Sequence, residues 1–410
     1  MTRETGDVTR VDHGRTLMSG EPLVFHCNHY NYWLQKTLLL PEGLGMRAVI
    51  RDAASSAAHA MITQAARERG ATEPAEILRI AADCFSALGF GTMDFSGAGE
   101  AGGAVRTPTS HYGQCLRMAS GADFAEPQEL FDQGYAAGAL AAAHGRPAGS
   151  YAARSEASQS MGAEVGEIAL APREAPADFF TAPGRGPHAA GDVPPQSPDT
   201  NVDEGAVLSA LAGLDLSGNE EGLLPRFGVI LTNHFANFYD RISFEFVRRM
   251  DGTGMLDMAE ELLVEAGYRC AFNTFGGIMT SAEWDAVVKP QCKTTEDWVH
   301  GMVAVANALG WGVWRVHELT PSRLVVRIWD DYESTGYLGM YGESDRFVSH
   351  LAAGGVAGLM NLVYPGRIAE RPTLDAEYYA RIFESPERFE PRGVKCMASG
   401  DAYTEVVAER

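Results

Sequence analysis

"VFHCNHYNYW", from Val24 to Trp33, gathers two histidines, a cysteine, two asparagines and several aromatic rings into ten positions. Its reading decides the fold, because a related stretch recurs in the second half of the chain. "LVFHCNHYNYWLQK" from Leu23 lines up with "GVILTNHFANFYDR" from Gly228. Each gives an apolar strand, then Asn-His-aromatic, then an amphipathic segment closed by a basic residue. On this alignment His29 matches His234 and Asn28 matches Asn233, while His26 and Cys27 face Leu231 and Thr232.

Three more pairs follow in the same order. "EILRIAADCFSALGFG" ending at Gly91 matches "DWVHGMVAVANALGWG" ending at Gly312. The small-residue helices "GYAAGALAAAHG" from Gly134 and "GGVAGLMNLVYPG" from Gly354 match, as do "EASQSMGAEVGEIAL" from Glu156 and "VKCMASGDAYTEVVA" from Val394. Ordered self-similarity of this kind is the mark of a repeated structural unit. It predicts a first copy at residues 20–172, a second at 222–410, and a linker at 173–221. Within that linker "APGRGPHAAGDVPPQSPDTNVDEG", from Ala182, has the Pro, Gly and Asp content of a flexible connector.

Apolar residues at helical spacing in "AASSAAHAMITQAARERG" and "AEELLVEAGYRCAFNTFGG" predict helices, and "GVWRVHELTPSRLVVRIWDDY" predicts a hairpin around "ELTPSR". Helices followed by antiparallel strands in each copy indicate an α+β fold, two like domains forming an internal pseudo-dimer. A chain of 410 residues with 33 Lys plus Arg against 54 Asp plus Glu carries a net charge of −21, which disfavours nucleic acid and anionic membrane as partners. There is no run of eighteen apolar residues and the first twenty are polar, so neither a membrane span nor a signal peptide is expected. Cysteines 27, 84, 115, 270, 292 and 396 show no paired short spacing, which suits reduced thiols in the cytoplasm.

The order of "ELLVEAGYRCAF", "LGWGVW", "AAGGVAGLM" and "GVKCMASGD" resembles the 4-vinyl reductase domain, a hydrocarbon-binding module related to the Bet3 fold. Members of that family act as sensing domains of phenol-responsive transcription activators, and others are tied to tetrapyrrole metabolism. The resemblance implies a pocket for a hydrophobic or aromatic small molecule. The family's sensor branch holds zinc partly through two cysteines flanking a Gly-Asp. Here Cys396, Gly400 and Asp401 fit but Thr404 stands at the second position, and copy one has Ser158 and Gly166, so zinc lacks its ligands there. Gly400-Asp401 is then expected to form a tight turn.

"GAGEAGG" at Gly97–Gly103 fits G-x-G-x-x-G, but a phosphate-binding loop must open a helix, and "AVRTPTSHYG" follows instead. A hairpin loop is the better reading. Asn28 and Asn233 stand where helix N-caps are wanted. His29 and His234 are the candidate polar anchors of two pockets, with Tyr30, Trp33 and Phe235 as aromatic walls. A histidine in a first helical turn also has the plainer role of one local hydrogen bond. Copy one adds "TSHYGQC" from Thr109, which copy two answers with "IWDDYES" from Ile328. His26, Cys27, His29 and His111 have the donor types for a transition metal, iron or zinc, with an open position. Buried cysteine as a small apolar residue is the plainer reading of Cys27. The enzyme alternative places catalysis on His29, His111 and Tyr112, in the metabolism of an aromatic or tetrapyrrole-type molecule. Binding of a hydrophobic or aromatic small molecule without catalysis is the first expectation, and a homo-oligomer stays open.

Overall fold

The computed structural model describes residues 8–10, 16–176 and 193–410. Strands β1 (Val8–Arg10), β2 (Thr16–Met18) and β3 (Glu21–Cys27) lead into helices α1 (Asn28–Leu39), α2 (Met46–Arg69) and α3 (Pro74–Ala87). A hairpin, β4 (Gly91–Gly99) and β5 (Gly102–Ser110), runs into a π-helical turn at His111–Cys115 and α4 (Leu116–Ser120). Helix α5 (Leu130–Ala143) and strands β6 (Tyr151–Ala157) and β7 (Gly166–Pro172) close the first half. After α6 (Glu204–Ala212) and β8 (Leu224–Arg226), β9 (Val229–Phe235), α7 (Ala236–Asp251) and α8 (Leu256–Cys270) open the second. A π-helical turn at Ala271–Phe275, α9 (Gly276–Thr280) and α10 (Ala282–Val287) precede α11 (Thr295–Ala308). The order then repeats: β10 (Val313–Thr320), β11 (Arg323–Trp329), α12 (Tyr332–Tyr341), α13 (His350–Val363), α14 (Ala376–Phe383), β12 (Glu390–Lys395) and β13 (Thr404–Glu409).

The protein is α+β, with antiparallel sheets in each half and helices packed on them. The order β4-β5-β7-β6 in the first half recurs as β10-β11-β13-β12 in the second. A further sheet, β1-β2-β3-β9-β8, takes strands from both, and β3 runs antiparallel to β9. Both expected hairpins form, with Glu100 and Ala101 turning the first and Pro321 and Ser322 the second. Gly400 has φ +89° and the Asp401 carboxylate accepts the Cys396 amide at 2.9 Å, which is the expected tight turn. Among the described residues no helix is long and apolar enough to cross a membrane.

The structural register between the halves differs from the one that sequence identity suggests. The Phe25 amide donates to the Leu309 carbonyl at 3.0 Å, and the Asn233 amide donates to the Leu88 carbonyl at 2.9 Å. Leu88 and Leu309 hold the same place, each just before the Gly-aromatic-Gly that ends α3 and α11. Phe25 is therefore the counterpart of Asn233, and His26 is the counterpart of His234. His29 falls on Asn237. Strand β9 continues three residues further than the shared Asn-His implies, so Asn233 is a strand residue rather than an N-cap. Cys27 and Phe235 precede the two helices, and the Cys27 sulfur accepts the Tyr30 amide at 3.5 Å.

Of the stretch expected to be a flexible linker, residues 177–192 lie outside the described residues. The part from 193 to 212 is docked on the second half, while near the end of the stretch the Gly218 amide donates to the Ala87 carbonyl of the first half at 3.1 Å. Asp297, buried at the start of α11, accepts from Thr200 Oγ1 (2.8 Å), the Asn201 amide (2.9 Å) and side chain (2.9 Å), and the amides of Lys293 (2.7 Å) and Thr294 (3.0 Å). Arg315 adds bonds to the Pro194 carbonyl (2.7 Å) and to Glu204 (3.0 Å). Burial alone would raise the Asp297 carboxyl, but these donors outweigh it and hold it below the usual carboxylate range. Its stabilising share is present above the unfolded value near 4 and is lost as pH falls through the lower native value. Asp297→Asn, which turns an acceptor toward several donors, is expected to cost about 2 kcal/mol in urea unfolding. It should also open residues 193–203 to proteolysis; an unchanged midpoint and cleavage pattern would contradict this clamp.

Candidate functional site

The paired strands β3 and β9 place His26 and His234 at the seam of the halves, each fully buried. The His26 ring stacks on Tyr30 (centroids 4.2 Å apart), meets Tyr239 edge-on (4.7 Å) and lies 5.0 Å from Trp311. Its Nδ1 faces the Cys270 sulfur at 3.7 Å, and its Nε2 has no hydrogen-bond partner. His234 sits among Phe90, Phe131, Phe238 and Tyr239, with Nε2 2.9 Å from the Tyr112 hydroxyl. His111 takes the Asn31 side-chain amide at 2.9 Å on Nε2, leaving Nδ1 without a partner. Asn31 also reaches Thr232 (3.3 Å) and accepts the Tyr239 hydroxyl (2.5 Å). Burial holds all three imidazoles neutral, His111 being pushed down to about 3 and the others well below their ordinary value.

Next to this cluster lies a cavity of about 10 Å³, room for about one water molecule. Tyr30, Tyr239 and Tyr332 line it, with Asp240, Glu333 and half-buried Ser243. Glu333 accepts the amides of Leu351 (3.1 Å) and Ala352 (2.9 Å) at the start of α13. Burial, then the neighbouring Asp331, raises its carboxyl well above the usual range. His111 and Tyr332 each begin the helix after a hairpin, so Tyr112 and Glu333 are counterparts. At this place the first half's Tyr112 is bonded across the seam to His234, whereas the second half's Glu333 lines the cavity.

The metal set expected from the sequence is not assembled. Among the described residues no three His, Cys, Asp or Glu side chains come together as ligands for an ion. Strand alternation separates His26 from Cys27. The Cys27 sulfur turns to Thr274 (3.1 Å), and burial pushes its thiol up, away from the thiolate a metal requires. His29 points instead into an open groove of about 580 Å³ with Asn28, Met118, Phe227 and Glu283. The expected catalytic trio is divided in the same way: His111 and Tyr112 are in the core and His29 is in the groove. Trp33 lies outside the cluster, with Lys36 (4.5 Å) and Arg269 (4.3 Å) over its ring. Tyr30 walls the cavity, and Phe235 packs with Phe90 and Tyr135 beyond His234.

Sequence reading missed Asn31, Tyr239, Asp240, Tyr332 and Glu333. The available signal was the set of hydroxyl, amide and carboxyl groups on otherwise core-facing positions of α1, α7 and α12. The π-helical turns at His111 and Ala271 flank the cluster, and such turns recur at functional sites.

No family model matches the chain, and no curated protein matches it. Ten chains among solved structures do. One is the crystal structure of the phenol-responsive sensory domain of the transcription activator PoxR with phenol, 12% identical, covering 50% of this chain and 88% of that one, with a TM-score of 0.35.

Proposed function

We propose that this protein binds a small aromatic molecule at the seam of its halves, beside His26 and the walls formed by Tyr30, Tyr239 and Tyr332. In this reading residues 20–172 and 222–410 are two copies of one 4-vinyl-reductase-like module, with the binding place on the second copy's side. The observation that carries it is His26 itself. It is a fully buried, neutral imidazole, stacked on Tyr30 and edge-on to Tyr239, both of which line the cavity, with Nε2 unpartnered. Buried polar groups are nearly always satisfied, and a core built only for stability would use an apolar ring there. A ligand hydroxyl or N–H would complete that nitrogen, and the tyrosine faces would stack on an aromatic ring.

Titration of the full chain with single-ring phenols and arylamines, followed by tryptophan fluorescence, tests this. Trp311 is 5.0 Å from His26 and should report occupancy. A saturable change is expected, with thermal stabilisation of about 2.7 kcal/mol when ligand reaches a hundred times its Kd. A linear, unsaturable response to every compound would refute the proposal.

A further inference from the structure

We infer that the groove at His29 binds a small zwitterion with an apolar body, a free amino acid or a short peptide, independently of the site at His26. At about 580 Å³ the groove has the size of small-molecule sites. Both halves build it, with Asn28, His29 and Met118 from the first and Phe227, Val229 and Glu283 from the second. Asn28 ties the two sides together. Its side chain donates to the Cys115 carbonyl and accepts the Ile230 amide, each at 3.3 Å.

Comparison of the halves shows that the fold alone does not call for this lining. In the structural register His29 falls on Asn237, which is buried and donates to Glu21 at 2.9 Å. His29 is half-buried instead, and its side chain makes no hydrogen bond or ion pair among the described residues. The same register sets the turn Phe227-Gly228 on Ser19-Gly20, with φ positive at all four (+55°, +71°, +46° and +80°). Such two-residue turns favour small or polar residues, so a phenylalanine there is strained and the turn does not require it. The third departure is α10. It lies in the stretch 281–294 between α9 and α11, where the first half joins α2 to α3 through residues 70–73 alone. All three departures line one groove.

Charge defines the occupant. Arg226 and Glu283, both half-buried, line the groove without an ion pair to each other or to any other described residue. Arg226 uses one N–H on the Pro225 carbonyl at 3.0 Å and keeps the rest of its fork. Asp285, also in the first turn of α10, pairs with Lys289 at 3.2 Å and with Arg371, which leaves Glu283 as the unengaged carboxylate. A ligand carboxylate on Arg226 and an ammonium on Glu283 would satisfy both, which no singly charged molecule can do. Met118, at 66% exposure, is the most exposed large apolar side chain among the described residues. An aromatic or aliphatic body laid on its thioether would cover it.

The test is calorimetric titration of the full chain near neutral pH with L-phenylalanine and L-phenylalanyl-L-alanine. 3-Phenylpropionate, which lacks the ammonium, and phenethylamine, which lacks the carboxylate, are the comparisons. At least one zwitterion should saturate and bind about ten-fold tighter than either comparison, the scale of one charged hydrogen bond. The tighter of the two zwitterions identifies the source. Arg226→Gln and Glu283→Gln should each weaken it about ten-fold, and His26→Phe should leave it unchanged. If neither zwitterion saturates, or a singly charged compound binds as tightly, the inference is overturned and the proposed site at His26 is untouched. Loss of binding in His26→Phe but not in Arg226→Gln would also overturn it, by placing the ligand at the seam. Should a substitution prevent folding, the ranking of the four compounds on the parent protein decides.

Discussion

Gly354→Ala is expected to destabilise the second half by about 3 kcal/mol, and Gly134→Ala the first half by as much. In α13 a methyl group at Gly354 would press on the Val264 carbonyl oxygen and come within 2.8 Å of Gly267 Cα in α8. In α5 a methyl group at Gly134 would press on the Arg51 carbonyl oxygen and come within 2.7 Å of Ala54 Cβ in α2. The obstructing atoms are mostly backbone, so no side chain can swing aside and the helices themselves must separate. Overpacking a well-packed contact costs about 1–3 kcal/mol, and two helices pushed apart along their length put these at the upper end. Paired losses of melting temperature in the two variants are the expected readout. A loss in one variant only would mean that the halves do not share this packing.

His26→Ala should cost about 3 kcal/mol, the scale for emptying a buried ring site, whereas His29→Ala should stay within about 0.5 kcal/mol. His26 is completely buried against Tyr30, Tyr239 and Trp311, and His29 borders an open groove. His26→Phe keeps the volume and separates packing from chemistry. It should fold, and it should lose the aromatic ligand if Nε2 reads that ligand. The pH dependence follows from burial. Native His26 resists protonation while the unfolded chain takes up a proton near pH 6.5, so its share of stability is complete above that pH. It is lost as pH falls toward the lower native value. His26→Phe should therefore remove about 1.4 kcal/mol per pH unit from the acid-side slope of stability. An unaltered slope, or a larger loss from His29→Ala than from His26→Ala, would overturn this account.

The prominence of His29 in the sequence comes from pairing Asn28-His29 with Asn233-His234 by identity. Identity of two residues says nothing about where a strand ends. Strand β9 ends three residues later than that pairing requires, because its register is set by β3 alongside and by the Asn233 amide meeting Leu88 from a distant part of the chain. The acidic cavity was hidden for a similar reason. Tyr239-Asp240 and Tyr332-Glu333 are ordinary helix residues in one dimension, and they meet only where α7 and α12 converge with α1.

What the sequence determined by itself is local or periodic. It set the α+β class, the two hairpins, the turn at Gly400-Asp401 and the order of repeated elements, because glycine placement, alternation and helical spacing act over a few bonds. The tertiary structure alone decided which histidines are buried, which donors fail to meet as a metal site, and that residues 193–203 dock on Asp297. Those outcomes depend on hydrogen bonds and packing between segments far apart in the chain, whose free energies no stretch of residues carries on its own.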